Sequence, residues 1–444
     1  MTVEFDGREP VDPGPTSLRE VDRAATPMIR WPPTARAVAF VSAGLAALGA
    51  VLQAAGSFQL DINVYLMGAR HLFDGRLYLV SLPSPSHLPF TYPPFAALAF
   101  GPLALLPSLP AQVVWSLVNV AALFALVWLS VRAARPGLDR PMLLLWSLML
   151  MTPAYWIEPV HLTFGYGQVN IVLAAMAMYD LTGQARFGRR TLPRGVLVGV
   201  AAAVKLTPLV FVPFLFVTRQ VRAGCAALAA FVAASGVSAL IDPHSSWSFW
   251  TKYVTDAKRI GGVAYISNQS VRAVIDRTDH RLVSGGPVTV AGGVVLVLGV
   301  ALAGWAARES SNLLGVLVCA TTGLLVSPIT WAHHMVWVVP VLAWLIWAPD
   351  RPSGGRVWAA LGAGLFWWAP IWSVPNGRNV ELHEHGWQLV RGNSFFLAMV
   401  TFMVGVVVLL AVRRNDRRGS GRRWTDQRRG DRRRRAGGGE PVAA

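Results

Sequence analysis

The stretch of sequence at residues 195–218 is GVLVGVAAAVKLTPLVFVPFLFVT, which is apolar except for Lys205-Leu206-Thr207-Pro208 near its middle. About 20 apolar residues in a row are enough to cross the hydrocarbon core of a bilayer as a helix. A proline inside such a helix breaks it, and a lysine there costs about 2.5–3.5 kcal/mol on insertion scales, so it needs a partner. We therefore predict two short helices that meet inside a membrane.

The composition of the whole chain agrees with a membrane protein. Of its 444 residues, 54% are hydrophobic and only 14% are charged, whereas soluble domains average about 45–50% apolar and about 25% charged residues. So few charges cannot cover the water-facing surface of a soluble chain of this length. This excludes a soluble enzyme, a disordered protein and a disulfide scaffold, and we predict an all-α polytopic membrane protein.

Apolar runs recur along the chain between residues 36 and 412. We predict helices at 36–56, 110–131, 141–158, 169–183, 224–241, 289–306, 313–327, 335–348, 357–372 and 395–412, with a partial span at 94–107. Several are shorter than the roughly 20 residues that cross a bilayer straight, which favours a bundle with broken helices. On either side we predict a disordered cytoplasmic arm at 1–35 and an Arg-rich, disordered cytoplasmic tail at 413–444.

The positive charge indicates how the chain is oriented. Twelve Arg and three Asp lie between residues 413 and 435, within a chain of net charge +17. The remaining Arg residues are scattered between apolar runs, which is typical of cytoplasmic loops that contact membrane lipids rather than of a nucleic-acid-binding protein. If every Arg cluster is cytoplasmic, then 195–218 is a hairpin and both termini lie on the cytoplasmic side of the plasma membrane. The segments predicted to be extracytoplasmic are then 57–93, 159–168, 242–288, 328–334 and 373–394.

Most of the side chains that could do chemistry fall in or beside those external segments. A transporter would instead place its charged groups near the bilayer midplane. The pattern therefore favours an enzyme that works at the outer leaflet. The non-enzyme alternative is a transporter of lipid-linked sugars, for which Asp61→Ala would leave ligand binding and flipping largely intact.

Asp61 directly follows the first predicted span and precedes a stretch of helical periodicity that continues to Gly75. A carboxylate in a half-buried interfacial pocket can accept a proton at neutral pH, so we predict a general base. The alternative is a helix N-cap, where Asp is among the preferred residues.

Three further motifs supply polar groups in the same order along the chain. Tyr92, which precedes Pro93-Pro94, either borders a substrate groove or marks a simple loop. Gln168 and Asn170 lie at a helix start, where they cap the helix or bind a sugar hydroxyl. Lys205 pairs either with backbone carbonyls of the broken hairpin or with a phosphate or acidic group.

Two later segments contain candidates for binding phosphate. His333 and His334 are adjacent and cannot share one helix face, so a paired zinc site is not predicted. Either one of the two histidines binds a leaving phosphate, or both form a structural pair at the membrane interface. In the loop at 267–277, Arg and amide side chains can hold phosphate or hydroxyls through charge-assisted bonds, unless the loop is simply solvated. Its candidates are Asn268, Gln269, Arg272 and Arg277.

Together these motifs resemble family 87 of the GT-C membrane glycosyltransferases over residues 36–412. The segments that carry the resemblance are Asp61, Tyr92-Pro93-Pro94, Gly167-Gln168-Val169-Asn170, Lys205-Leu206-Thr207-Pro208, Asn268-Gln269-Ser270 and Ser327-Pro328-Ile329-Thr330-Trp331 with His333-His334. The resemblance implies a GT-C fold of about 10–12 membrane helices. It also implies a polyprenyl-phosphate-mannose donor, extracytoplasmic transfer with inversion, Asp61 as the essential acid, and a functional His at 333 or 334.

Within that family the chain is most similar to the mycobacterial α-1,2-mannosyltransferases of phosphatidylinositol mannoside synthesis, which implies a phosphatidylinositol mannoside acceptor. The same motifs fit enzymes that branch lipomannan or lipoarabinomannan, and an arabinofuranosyltransferase of the same fold is a further alternative. A monophosphate leaving group can be neutralised by side chains, so we expect no cofactor and no obligatory metal.

Overall fold

The computed structural model describes residues 31–84, 86–183, 186–187, 190–256, 259–283 and 285–436, and the side chains of its last helix as far as residue 417. Residues 1–30 of the arm predicted at 1–35 and residues 437–444 of the predicted tail lie outside the described residues, and α1 already begins at Pro33. Within these ranges the chain is mainly helical, which confirms the all-α prediction.

Five described helices are long and apolar enough to cross a membrane: α1 (Pro33–Gly56), α4 (Ser108–Ala134), α11 (Val221–Ile241), α14 (Gly286–Glu309) and α19 (Ser394–Ala436). Shorter helices of the bundle are α3 (Pro94–Ala104), α5 (Arg140–Met149), α8 (Asn170–Thr182), α9 (Val196–Val204), α10 (Phe211–Val217), α15 (Asn312–Val326), α16 (Val338–Trp347) and α17 (Gly355–Trp368). The chain is therefore a multi-pass membrane protein that combines long spans with broken ones.

The remaining elements are short and form the connections. They are α2 (Leu60–Arg70), α6 (Met151–Tyr155), α7 (Glu158–Tyr166), α12 (Pro243–Ser248), α13 (Val271–Thr278), α18 (Trp387–Gly392), a π turn at Phe249–Tyr253 and the 3₁₀ turns Thr207–Val210, Ala332–Trp337, Pro370–Ser373 and Val380–His383. Two-residue strands, β1 (Arg186–Phe187) and β2 (Arg190–Thr191), pair antiparallel.

The predicted break in the 195–218 stretch is confirmed. α9 ends at Val204, Lys205 is extended with φ −152°, and α10 begins at Phe211 after the 3₁₀ turn. Gly199 lets α9 lie directly against α11, because a Cβ there would come within 2.2 Å of the Ala227 carbonyl oxygen. Such small-residue contacts are typical of helices packed inside membranes.

The predicted continuous helix at 141–158 is wrong. The structure divides it into α5 and α6, and α7 begins at Glu158. Pro141 and Pro159 lie in the first turns of α5 and α7, where proline is preferred. Pro153 interrupts the hydrogen-bonding pattern between them. α7 consequently forms a separate short element beside the candidate site.

The tail prediction also needs correction in its described part. α19 does not end near residue 412 but continues as a helix to Ala436, because Arg is a good helix former and the segment extends an existing helix. Arg413, the first residue of the predicted tail, donates to the Ser310 hydroxyl at 2.7 Å and to the Asp350 carbonyl at 2.7 Å. These bonds hold this part of α19 against the bundle.

Buried apolar side chains form two cores. The larger one joins the inner faces of α4, α8, α15 and α16, and the smaller one joins α2 and α3 to the ends of α4, α8 and α9. Polar side chains from both sides meet where α2, the start of α8, the α9–α10 break and the Ala332–Trp337 turn come together. This junction contains the candidate site.

Candidate active site

Asp61 lies in the first turn of α2, directly after α1. The N-cap of α2 is Gln59, so the alternative in which Asp61 caps the helix is wrong. The positive end of the helix dipole still favours a negative charge at this position. Asp61 itself is half-buried. A substrate can therefore reach its carboxylate, although neighbouring side chains shield part of it from solvent.

A chain of hydrogen bonds holds the carboxylate of Asp61. The Tyr92 hydroxyl donates to its Oδ1 at 3.4 Å, and the Gln168 amide donates to the Tyr92 hydroxyl at 3.1 Å. The Tyr65 hydroxyl in turn donates to Gln168 Oε1 at 2.9 Å. Tyr92 and Gln168 therefore position the acid. The sequence analysis predicted a substrate groove beside Tyr92 and a helix cap or sugar contact for Gln168, and it did not indicate Tyr65.

The surroundings of Asp61 suit a general base. Burial raises the pKa of its carboxyl to about 6, although hydrogen bonding from Gln168, the positive charge of Lys205 and the Tyr92 hydroxyl all act in the opposite direction. A group with a pKa of about 6 is deprotonated at neutral pH and still basic enough to take a proton.

The turn between α7 and α8 is fitted closely against α2. Gly167 adopts φ +66°, and a Cβ there would come within 2.7 Å of Ile62. The Trp115 indole donates to the Gly167 carbonyl at 2.8 Å, and Gln59 donates to the Phe164 carbonyl at 2.6 Å. This turn fixes the positions of Gln168 and Asn170.

Lys205 connects the remaining motifs. Its ammonium donates to Asn170 Oδ1 at 2.9 Å and contacts His334 Nε2 at 3.0 Å. It also lies over the Tyr92 ring, 5.6 Å from the centroid. These partners are side chains rather than the backbone carbonyls of the broken hairpin. We call Asp61, Tyr92, Asn170, Lys205 and His334 the reaction cluster.

The two histidines occupy different positions. When the Lys205 ammonium donates to Nε2 of His334, the ring proton lies on Nδ1, which is buried without a partner in the described structure. His334 thus presents a free donor. The carbonyl of His333 accepts from Thr163 and Asn170, at 3.1 and 3.0 Å, and its ring packs edge-on against Tyr166 with centroids 5.2 Å apart.

The predicted loop candidates lie apart from this cluster. Asn268 bonds to the Val263 carbonyl and to the amide of Thr330, and Gln269 bonds to the Gly392 carbonyl and the amide of Phe396. Arg277 is fully buried. We call Asn268, Gln269 and Arg277 the loop scaffold, because these side chains hold the 263–269 loop against Thr330, in the segment that leads to His333, and against residues 392–396.

Every hydrogen bond that Arg277 makes in the described structure goes to a neutral acceptor. Its guanidinium donates to Asn393 Oδ1 and to the carbonyls of Ala264, Tyr265 and Asn268. Arg272 is half-buried and its Nε has no partner in the described structure. The structure brings neither Arg into hydrogen-bond contact with the reaction cluster.

Comparison with known proteins agrees with this arrangement of motifs. The model of glycosyltransferase family 87 matches residues 90–328. The chain belongs to glycosyltransferase family 87. No solved structure matches it.

Curated relatives from mycobacteria cover most of the chain. A polyprenol-phosphate-mannose-dependent alpha-(1-2)-phosphatidylinositol pentamannoside mannosyltransferase of Mycobacterium tuberculosis (strain CDC 1551 / Oshkosh) is 36% identical over 75% of this chain and 77% of its own length. A polyprenol-phosphate-mannose-dependent alpha-(1-2)-phosphatidylinositol mannoside mannosyltransferase of M. tuberculosis H37Rv is 33% identical over 83% and 89%. A pentamannoside enzyme of Mycolicibacterium smegmatis is 34% identical over 82% and 87%.

Proposed function

We propose that this chain is an inverting α-1,2-mannosyltransferase that moves mannose from polyprenyl-phosphate-mannose to a phosphatidylinositol mannoside. The observation that carries the proposal is the reaction cluster, in which a half-buried carboxylate and a Lys–His pair flank the ring of Tyr92. A base and a cationic group for phosphate are the two functions that such a transfer needs. The names of the mycobacterial relatives supply the donor, the acceptor class and the linkage.

The proposed reaction is a single displacement. Asp61 takes the proton of the acceptor hydroxyl while the hydroxyl oxygen attacks the anomeric carbon of the donor mannose. The bond from that carbon to the phosphate oxygen breaks on the opposite face, so the configuration inverts and polyprenyl phosphate leaves. Lys205 and the free Nδ1–H of His334 stabilise the negative charge that develops on the phosphate. Asn170 holds Lys205 in place, and binding both lipid-linked substrates together supplies much of the rate by positioning.

The proposed location of the reaction is the outer face of the plasma membrane. Asp61 follows the end of α1, whereas Arg36 lies near its start, and Arg132 lies at the end of α4 away from Trp115 and the site. Because basic residues favour the cytoplasmic side, this separation supports an external site and cytoplasmic termini. Single cysteines at positions 61, 334 and 385, the last an exposed neighbour of buried Glu384, should all react with a membrane-impermeant thiol reagent from outside. Protection of any of them in intact cells and labelling only after lysis would contradict this placement.

Purified protein in detergent with polyprenyl-phosphate-mannose and a panel of phosphatidylinositol mannosides tests the activity itself. We expect an α-1,2-linked product and release of polyprenyl phosphate. Transfer to lipomannan alone would identify a branching enzyme instead. Movement of the donor across the vesicle membrane without turnover would identify a transporter. Transfer from polyprenyl-phosphate-arabinofuranose but not from the mannose donor would identify an arabinofuranosyltransferase.

A further inference from the structure

A second carboxylate lies beside the reaction cluster and has no part in the proposed displacement. Glu158 begins α7 and is half-buried. Its Oε1 accepts a hydrogen bond from the Trp372 indole at 2.5 Å. Burial raises the pKa of Glu158, and the bond from Trp372 opposes that rise. An acid that only stabilised the start of α7 would not need an indole from the 370–373 turn to fix its orientation.

Aromatic side chains lie between Glu158 and the reaction cluster. The ring of Trp372 lies 6.5 Å from that of Tyr265, centroid to centroid. Tyr166, at the other end of α7, packs against the ring of His333 with centroids 5.2 Å apart, and His333 is adjacent to His334 of the reaction cluster. The hydroxyls of Tyr166 and Tyr265 have no hydrogen-bond partner within the part of the chain that the structure describes. Glu158 and these three aromatic residues come from outside the motifs that define the reaction cluster.

The chemistry of these side chains matches a sugar. Partly exposed aromatic rings can pack against the C–H faces of a pyranose, and phenol groups and carboxylates bind its hydroxyls in a fixed orientation. A hydrogen bond to a charged carboxylate is stronger than one between neutral groups. The nine residues of α7 span about 13 Å, so Glu158 and Tyr166, at its two ends, are farther apart than one hexose ring extends.

We propose that Glu158, Tyr166, Tyr265 and Trp372 form an acceptor subsite that binds mannose units other than the one that reacts. This rests on the proposed function, since Asp61 must then hold the reacting hydroxyl of the same acceptor. Glu158 is the specificity-determining residue, because only an acceptor with enough sugar units reaches it. The enzyme should therefore prefer longer phosphatidylinositol mannosides over short ones.

The test is Glu158→Gln, which keeps an oxygen for the Trp372 indole and removes the charge. KM and kcat are measured with two acceptors, a phosphatidylinositol mannoside with a single mannose and one with a longer mannose chain. We expect KM for the longer acceptor to rise about tenfold, as loss of a charged hydrogen bond predicts. The kcat values, the KM for the donor and both constants for the short acceptor should stay unchanged.

A matched pair of Trp variants provides the control. Trp372→Phe removes the indole N–H and should reproduce the selective rise in KM, whereas Trp368→Phe, at an exposed position at the end of α17, should change neither acceptor. Equal effects of Glu158→Gln and Trp372→Phe on both acceptors, or no effect on either, would overturn the subsite. If Glu158→Gln lowers the melting temperature, Trp372→Phe decides alone.

Failure of the proposed function gives a different result, namely no mannose transfer by the wild-type protein to either acceptor. The subsite is then decided by binding of the two phosphatidylinositol mannosides to the purified protein without donor. The subsite is supported if the wild-type protein binds the longer phosphatidylinositol mannoside more tightly than the short one and Glu158→Gln weakens that binding about tenfold. Equal binding by wild type and variant overturns it.

Discussion

The reaction cluster and the loop scaffold contain similar residue types but use their hydrogen bonds differently. In the scaffold, Arg277 is fully buried and donates to four protein acceptors. In the cluster, Asp61 and Lys205 are only half-buried, and His334 keeps a ring nitrogen without a partner in the described structure. Since buried polar groups are normally satisfied, the unpaired ring nitrogen of His334 favours the cluster as a ligand-binding site, and the four bonds of Arg277 favour a supporting role for the scaffold.

The largest expected effect is on the base, and it tests whether the cluster does chemistry. Asp61→Asn keeps the size of the side chain and an oxygen for Tyr92 but removes the proton acceptor. Turnover should fall by about 10²–10⁴-fold, as expected for loss of a general base. The measurement is mannose transfer together with thermal stability and donor binding. Folded, donor-binding protein with turnover within about threefold of wild type would show that another residue is the base.

A matched substitution beside the scaffold, at Asp276, sharpens the comparison. Asp276→Asn changes another buried carboxylate, which accepts from the Val283 amide at 2.8 Å and lies outside the cluster. We expect its turnover per folded molecule to stay near that of wild type. A loss as large as that of Asp61→Asn would remove the distinction between the two regions.

Removal of the cation in the cluster should have the next largest effect. Lys205→Met keeps the length of the side chain and removes the charge that we propose stabilises the leaving phosphate. We expect kcat to fall by about 10²–10³-fold, the range measured when one donor to a developing oxyanion is removed. Lys205→Arg should recover part of the rate. Equal activity of the Met variant and wild type would exclude Lys205 from stabilising the leaving group.

Loss of the buried Arg should act on stability rather than on chemistry. Arg277→Gln leaves backbone carbonyls and Asn393 without their donor, which typically costs about 1–3 kcal/mol. A lower melting temperature with unchanged KM for the donor is the expected result. Arg281→Gln serves as the control, because Arg281 is exposed and pairs only with exposed Asp279 in the described structure. A selective rise in the KM for the donor in Arg277→Gln would show that Arg277 binds the donor phosphate after all.

The smallest expected effect concerns the Arg-rich end of α19. Truncation after Arg414 removes the exposed contact of Arg417 with Glu309 at 3.0 Å, and exposed ion pairs contribute about 0–1 kcal/mol. Transfer activity should therefore stay within about twofold of wild type. Loss of turnover in a truncated protein that still inserts normally would show that the tail contributes to catalysis.

The sequence predicted where the acid lies but not what holds it. Asp61 could be singled out because it directly follows an apolar run. Its partners come from distant segments, since Lys205 and His334 are 129 residues apart and Tyr65 and Gln168 are 103 apart. Such pairings depend on how the helices pack, which a single sequence does not specify.

The departures of the structure from the sequence analysis have physical causes. Continuous hydrophobicity at 141–158 suggested one helix, although Pro141, Pro153 and Pro159 each favour a break or a start. Arg277 was predicted to bind phosphate from its residue type, which does not reveal whether the guanidinium is buried. Glu158 was missed for a related reason, although an acid beside a proline in an apolar region is a detectable signal.

The pH dependence of kcat/KM tests the central claim, that Asp61 is a base with a raised pKa. The donor is a phosphodiester and does not titrate near neutral pH, so the acid limb reports on the protein. Because the pKa of Asp61 is raised to about 6, its deprotonated fraction falls as pH drops through that value. We predict that kcat/KM is constant at pH 7–8 and falls tenfold per pH unit below about 6. An unchanged kcat/KM down to pH 4.5 in folded protein would contradict the account.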